Sequence, residues 1–78
     1  LIYPQPASNE LFVRLSESMN ETANIKLYDQ SGLLALAIET NAIDGLIRLN
    51  TSALASGVYH VLINVDGKNY SAKVIVAR

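Results

Sequence analysis

His60 is the only histidine in the chain, and histidine is the side chain best placed to move protons near neutral pH. Base catalysis on a serine would need that serine beside it and a carboxylate behind it. The sequence holds no Gly-x-Ser-x-Gly turn to present such a nucleophile. With one His and no Cys, a zinc site lacks its ligands. Glu17 and Glu21 share a stretch with Asn20 and Thr22, which reads as a solvated loop rather than a calcium loop. No carboxylate sits in an apolar setting that would raise its pKa for acid–base work. The four glycines are dispersed at turn positions and form no phosphate cradle. Asn20, Asn50 and Asn69 each head an Asn-x-Ser/Thr triplet, a pattern that arises by chance in Asn- and Ser-rich loops. These residues imply no catalytic centre, no metal and no cofactor. Recognition is the chemistry that remains.

The best candidate for recognition is the C-terminal third. Gly57-Val58-Tyr59 opens an alternating run, Asp66-Gly67 follows, and a second alternating run ends in Lys73-Val74-Ile75-Val76-Ala77-Arg78. Asp-Gly between two such runs predicts a hairpin with a two-residue type I′ turn, which needs positive φ at both central residues. In that register, facing residues have numbers summing to 133. Ile63 then faces Tyr70, Val61 faces Ala72 and Tyr59 faces Val74, all on one apolar side. The other side pairs Val58 with Ile75, His60 with Lys73 and Leu62 with Ser71. Aliphatic residues beside a Lys and a His on an outward face predict a docking surface.

Composition narrows the partner. Half of the 78 residues are hydrophobic and 17% are charged, which excludes a disordered tail. The net charge of −1, without a basic cluster, argues against nucleic acid. A chain of this length makes one small domain that buries about 60–65% of its unfolded surface, so each core position counts. The longest apolar run, Leu33 to Ile38, is strand-sized and far below the ~18 residues of a membrane span. Leu1-Ile2-Tyr3 already reads as structured sequence, without a starting Met, and predicts a piece cut from a longer polypeptide.

Seven extended runs must position that surface. Leu1 to Tyr3 is a candidate edge strand halted by Pro4 and Pro6. Glu10 to Leu15 alternates, with Leu11, Val13 and Leu15 opposite Phe12 and Arg14. Ser16 to Ala23 reads as a loop. In Asn24 to Tyr28, Ile25 and Leu27 oppose Lys26 and Tyr28. Gly32 suits a left-handed turn position after Asp29. Leu33 to Glu39 is expected to be a buried strand, Asn41 to Gly45 a turn, and Leu46 to Leu49 a fifth run. Asn50 to Gly57 is a loop with room for one helical turn at Thr51 to Ala55. With the terminal hairpin, this predicts an all-β, antiparallel, seven-stranded immunoglobulin-like β-sandwich.

Three blocks of this chain resemble one known family. Ile2-Tyr3-Pro4-Gln5-Pro6-Ala7-Ser8-Asn9-Glu10-Leu11 is similar to the Tyr-Pro-Asn-Pro-Ala opening of the type IX secretion system C-terminal sorting domain, with Gln5 in place of Asn. Ile25 to Gly32, with Tyr28-Asp29 and the turn glycine Gly32, resembles its central block. Leu54-Ala55-Ser56-Gly57-Val58-Tyr59, the Asp66-Gly67 hairpin and the terminal strand with Lys73 resemble its end. The three stand in the family's order and spacing over almost the whole chain.

The resemblance implies a non-catalytic secretion signal, the last module of a secreted cargo lying upstream of Leu1. Cargo of this kind folds in the periplasm, is recognised by the outer-membrane translocon and its shuttle proteins, and reaches the cell surface or the medium. A surface sortase then removes the domain. The expected recognition residues are Gly57, Val58, Lys73, Ile75, Val76 and Arg78. Two other classes fit the composition: an adhesive or carbohydrate-binding sandwich appended to a surface enzyme, and a domain that dimerises through an open edge such as Leu1 to Tyr3. Aromatics are 6% of residues and are expected largely inward, which disfavours the sugar binder.

Overall fold

The computed structural model describes residues 2–4, 7–17 and 20–77. In chain order these form β1 (Ile2–Tyr3), β2 (Glu10–Arg14), β3 (Thr22–Tyr28), β4 (Leu34–Asn41), β5 (Leu46–Asn50), β6 (Gly57–Val65) and β7 (Lys68–Val76). The strands build two antiparallel sheets, one ordered β1–β2–β5 and one ordered β4–β3–β6–β7. No helix forms among the described residues, so none is long and apolar enough to cross a membrane.

Period-two alternation produces this arrangement, because successive strand side chains point to opposite faces. Leu11 and Val13 of β2 and Ile47 and Leu49 of β5 turn inward from one sheet. Ile25 and Leu27 of β3, Val61 and Ile63 of β6, and Val74 and Val76 of β7 turn inward from the other. They meet in a single apolar cluster between the sheets. Taking each such aliphatic side chain out of water stabilises the fold by about 1.5–3 kcal/mol.

The terminal hairpin has the expected register, from Gly57 opposite Val76 to Val65 opposite Lys68. Asp66 (φ 51°) and Gly67 (φ 74°) both take positive φ, as a type I′ turn demands. The same chemistry recurs at Asp44 (φ 51°) and Gly45 (φ 78°). Ile43 and Leu46 close that turn with mutual backbone hydrogen bonds of 2.9 and 3.0 Å. The β3–β4 turn uses a side chain instead. The Asp29 carboxylate accepts from the Ser31 N–H (2.9 Å), the Ser31 hydroxyl (2.7 Å) and the Leu33 N–H (3.0 Å).

Some expectations need correction. The expected buried strand Leu33 to Glu39 is not buried: Leu33 is 67% and Leu34 53% exposed and Leu36 and Ile38 only half-buried, because β4 is an edge strand that among the described residues pairs only with β3. Strand β3 begins at Thr22, inside the expected loop, since Ala23 pairs with Thr40 and is buried. Thr51 to Ala55 forms no helical turn. A Leu54 N–H to Thr51 carbonyl bond of 3.0 Å turns the chain there, while buried Thr51 donates its hydroxyl to the Ser8 carbonyl at 2.9 Å. Of the predicted edge strand, Leu1 lies outside the described residues; Ile2 and Tyr3 pair with Val13 and Phe12.

The N-terminal segment serves both sheets. After β1, the chain brings Ala7 alongside the end of β7 as a parallel bridge to Val76. The Ala7 segment and the end of β7 therefore meet at one end of the molecule.

Candidate functional site

Strands β3, β6 and β7 turn their polar alternation outward and together form the exposed face of the four-stranded sheet. Register fixes its rows. Val58 lies opposite Ile75; Tyr28, His60 and Lys73 form the next row; Lys26, Leu62 and Ser71 follow; and Asn24, Asn64 and Asn69 close the series. Leu62 is 47% and Ile75 41% exposed, so the outer side of the hairpin is open to solvent there. The face combines two exposed aliphatics with Lys26, Lys73 and His60. Its lower half is an open concavity of about 650 Å³ lined by residues including Lys26, Tyr28, Leu62, Asn64 and Asn69. Within it the Asn64 amide donates to the Asn69 carbonyl oxygen at 2.8 Å.

The structure places the expected recognition residues unequally. Lys73 and Ile75 stand on the exposed face, and Val58 and Gly57 are half-buried at its upper end. Val76 does not reach it: strand parity turns this side chain inward beside Val74, leaving it 1% exposed. Arg78 lies outside the described residues, as does Pro6 of the opening motif.

Several of the motif residues sit in the framework of the fold, whereas Tyr28 lies on the exposed face. Ala7, Leu11 and Leu54 are buried in the core. The Tyr3 ring stacks on Phe12 with centroids 5.6 Å apart. Tyr59 is buried and donates its phenolic hydrogen to the Ala55 carbonyl at 2.6 Å, which pins the Leu54-Ala55-Ser56 loop against the start of β6. Gly57 has room for a Cβ, with only the Tyr59 ring edge at 3.9 Å, so close packing does not require glycine there. At Gly32 (φ 89°) and Gly67 the backbone does.

Two further attachments hold the hairpin. Lys68 near its tip is ion-paired with Glu17 of the β2–β3 loop, which raises the ammonium pKa through the hydrogen bond and the opposite charge. At the other end, Ala7 grips β7. Neither partner was legible from sequence spacing, since 51 residues separate Glu17 from Lys68. The hairpin is thus tied near its tip by Lys68 and at its other end by Ala7, with Leu62 and Ile75 exposed on its outer side.

No curated protein matches the chain. The family profile described as the secretion system C-terminal sorting domain matches residues 1–77. On that near-complete coverage, and with the Tyr-Pro opening, the Tyr-Asp turn and the terminal hairpin each in its place, this chain belongs to the type IX secretion C-terminal sorting domains.

Proposed function

We propose that this domain acts as a non-catalytic address label, read by the type IX outer-membrane translocon through the exposed side of the β6–β7 ribbon. Family membership supports a sorting tail that directs export across the outer membrane to the surface or the medium. The finer reading has the cargo precede Leu1, fold in the periplasm, meet shuttle and translocon components there, and lose this domain to a surface sortase. The observation that carries the recognition face is the exposure of Ile75 and Leu62 beside Lys73 on a strand pair whose other side sends Tyr59, Val61, Ile63, Val74 and Val76 into the core. Apolar contact supplies affinity, and Lys73 supplies orientation through charge. Gly57 and Val58 border the patch, and Arg78 is proposed as a further recognised residue.

The fold belongs, on this reading, to the immunoglobulin-like sandwiches. The β1–β2–β5 sheet against the β4–β3–β6–β7 sheet follows their strand order. The Tyr59–Ala55 bond at the start of β6 matches their tyrosine corner, where a Tyr hydroxyl bonds backbone a few residues upstream.

The test is a secreted reporter fused to this domain. Lys73→Asp with Ile75→Asp should abolish surface delivery while leaving the melting temperature near that of the parent. Normal delivery by that variant, with the fold intact, would remove the proposed face.

One observation favours a second reading, a carbohydrate-binding module. The outward amides of Asn24, Asn64 and Asn69 beside Tyr28 and Lys26 offer hydrogen-bonding groups and a ring suited to sugars. Robust binding in a glycan screen, with and without calcium, would favour that module over the address label.

A further inference from the structure

We propose that the recognition face extends from the hairpin across β3, where Lys26 joins Lys73 in selecting an extended, acidic segment of the partner protein. That segment carries an apolar side chain between two carboxylates. The inference rests on the outer face being the recognition surface, and it names the chemistry that surface receives.

Charge is segregated on this sheet. Two outward rows cross all four strands: Leu34, Tyr28, His60 and Lys73 form one, and Ala37, Lys26, Leu62 and Ser71 the other. Between them they hold two lysines and a histidine, and no carboxylate. The chain as a whole has 7 acidic residues against 6 Lys and Arg, so strand placement rather than composition makes this local excess. The Asp29 carboxylate, just past β3, is held in its turn by Ser31 and Leu33. Glu39 of β4 stands in the next row, opposite Asn24. Lys26 is exposed, and among the described residues it forms no ion pair, whereas Arg48 and Lys68 are paired with Glu10 and Glu17.

Spacing sets the pattern of the occupant. Lys26 and Lys73 lie two strands and one row apart, which separates their backbones by about 12 Å. An extended chain repeats its side chains on one face about every 7 Å. Two acids four residues apart, at about 13 Å, therefore meet both lysines. The residue midway between them comes down between Leu62 and His60. There Leu62 is 47% exposed and lines, with Lys26, the concavity of about 650 Å³. An apolar side chain buries itself on Leu62, while the His60 ring offers an N–H to a carboxylate. Glu39 repels an acidic chain laid toward β4, which favours the diagonal path toward β7. Two lysines are too few to hold an anionic membrane, which takes clusters of about four or more basic residues. They match two carboxylates one for one.

The probe is the synthetic peptide Ser-Glu-Thr-Leu-Thr-Glu-Ser, titrated into the labelled domain and followed by amide chemical shifts. Shifts should concentrate at Lys26, Leu62 and Lys73. They should fade as salt rises from about 0.1 to about 1 M, where the Debye length falls from about 10 to about 3 Å. Lys26→Gln should weaken binding about two- to fivefold, the effect of one exposed ion pair. Arg48→Gln makes the same change of charge on the other sheet and should leave binding unaltered. In the reporter fusion, Lys26→Glu should lower surface delivery while keeping the parent's β-rich circular dichroism. If Lys26→Glu is delivered like the parent and Lys73→Asp with Ile75→Asp is not, the acidic-partner inference falls and the recognition face stands. Normal delivery of both, with folds intact, removes the face and this inference with it. Equal binding of a peptide with Lys in place of each Glu would also overturn it. So would binding to anionic phospholipid vesicles without any response to the acidic peptide, which would assign the face to a lipid surface.

Discussion

Ala7 donates its backbone N–H to the Ile75 carbonyl at 2.8 Å, and its own carbonyl accepts from the Ala77 N–H at 2.8 Å. Two hydrogen bonds thus tie the N-terminal segment to the terminal strand, and the buried Ala7 methyl seats the join in the core. Ala7→Pro removes the first donor and crowds a site with no exposure. It should cost about 1–3 kcal/mol. Hydrogen exchange should speed up at Ala77 while amides in the middle of β6 stay protected. Unchanged exchange at Ala77 would mean that this bridge does not hold β7.

Tyr59→Phe keeps the buried ring and loses only the bond to Ala55. The carbonyl left behind is partly buried, so urea unfolding should show a loss of about 1 kcal/mol. The hairpin register should survive, because the Asp66-Gly67 turn and β7 pairing are untouched. A loss below a few tenths of a kcal/mol would show that the loop needs no such anchor.

Core and edge leucine-type residues should respond very differently to truncation. Ile25 has no exposure, and Ile25→Ala should cost about 2–5 kcal/mol, a large fraction of the stability of so small a domain. Leu33 is 67% exposed, and Leu33→Ala should stay within about 0.5 kcal/mol. Chemical denaturation of both at dilute protein concentration checks the contrast; similar losses would contradict the edge position of β4.

At Gly67 the cost of a side chain is conformational. No atom lies within 4 Å of a Cβ built there, yet φ is 74°. Gly67→Ala should therefore destabilise by about 1–2 kcal/mol through backbone strain rather than clash. Asp66→Gly, at the neighbouring positive-φ position, should cost much less or nothing. Equal effects from the two would argue against the type I′ turn.

Asp29 gives the β3–β4 turn its pH dependence. The Ser31 hydroxyl foremost, then the Leu33 N–H, lowers its carboxyl pKa from the usual 3.8. A depressed folded-state pKa means the unfolded chain takes up the proton first. The stabilisation is therefore complete above the unfolded value and is lost as pH falls through the lower folded value. Asp29→Asn should remove that acid-limb contribution and leave the rest of the stability–pH profile in place. A parent and variant with superimposable acid limbs would exclude it.

Much of the hairpin was legible because its causes are local. Asp66-Gly67 dictates turn type, turn type dictates register, and period-two alternation then assigns Tyr59, Val61 and Val74 to the core. The same logic assigns Lys73 and Ile75 outward. It also turns Val76 inward: strand parity places that residue beside Val74, against its expected place among the recognition residues. Asp44-Gly45 carries the same turn chemistry as Asp66-Gly67, so its tight turn was readable too.

The chain's pattern alone determined that this is a β protein with a terminal ribbon, because side-chain alternation and turn stereochemistry act over a few residues. Only the tertiary structure decided that Leu33 to Ile38 lies at an edge, that Glu17 meets Lys68, and that Ala7 grips the far end of β7. Hydrophobicity states what a strand prefers to bury. Which strand is left without a second neighbour depends on how all seven are shared between two sheets, and no single stretch of sequence contains that.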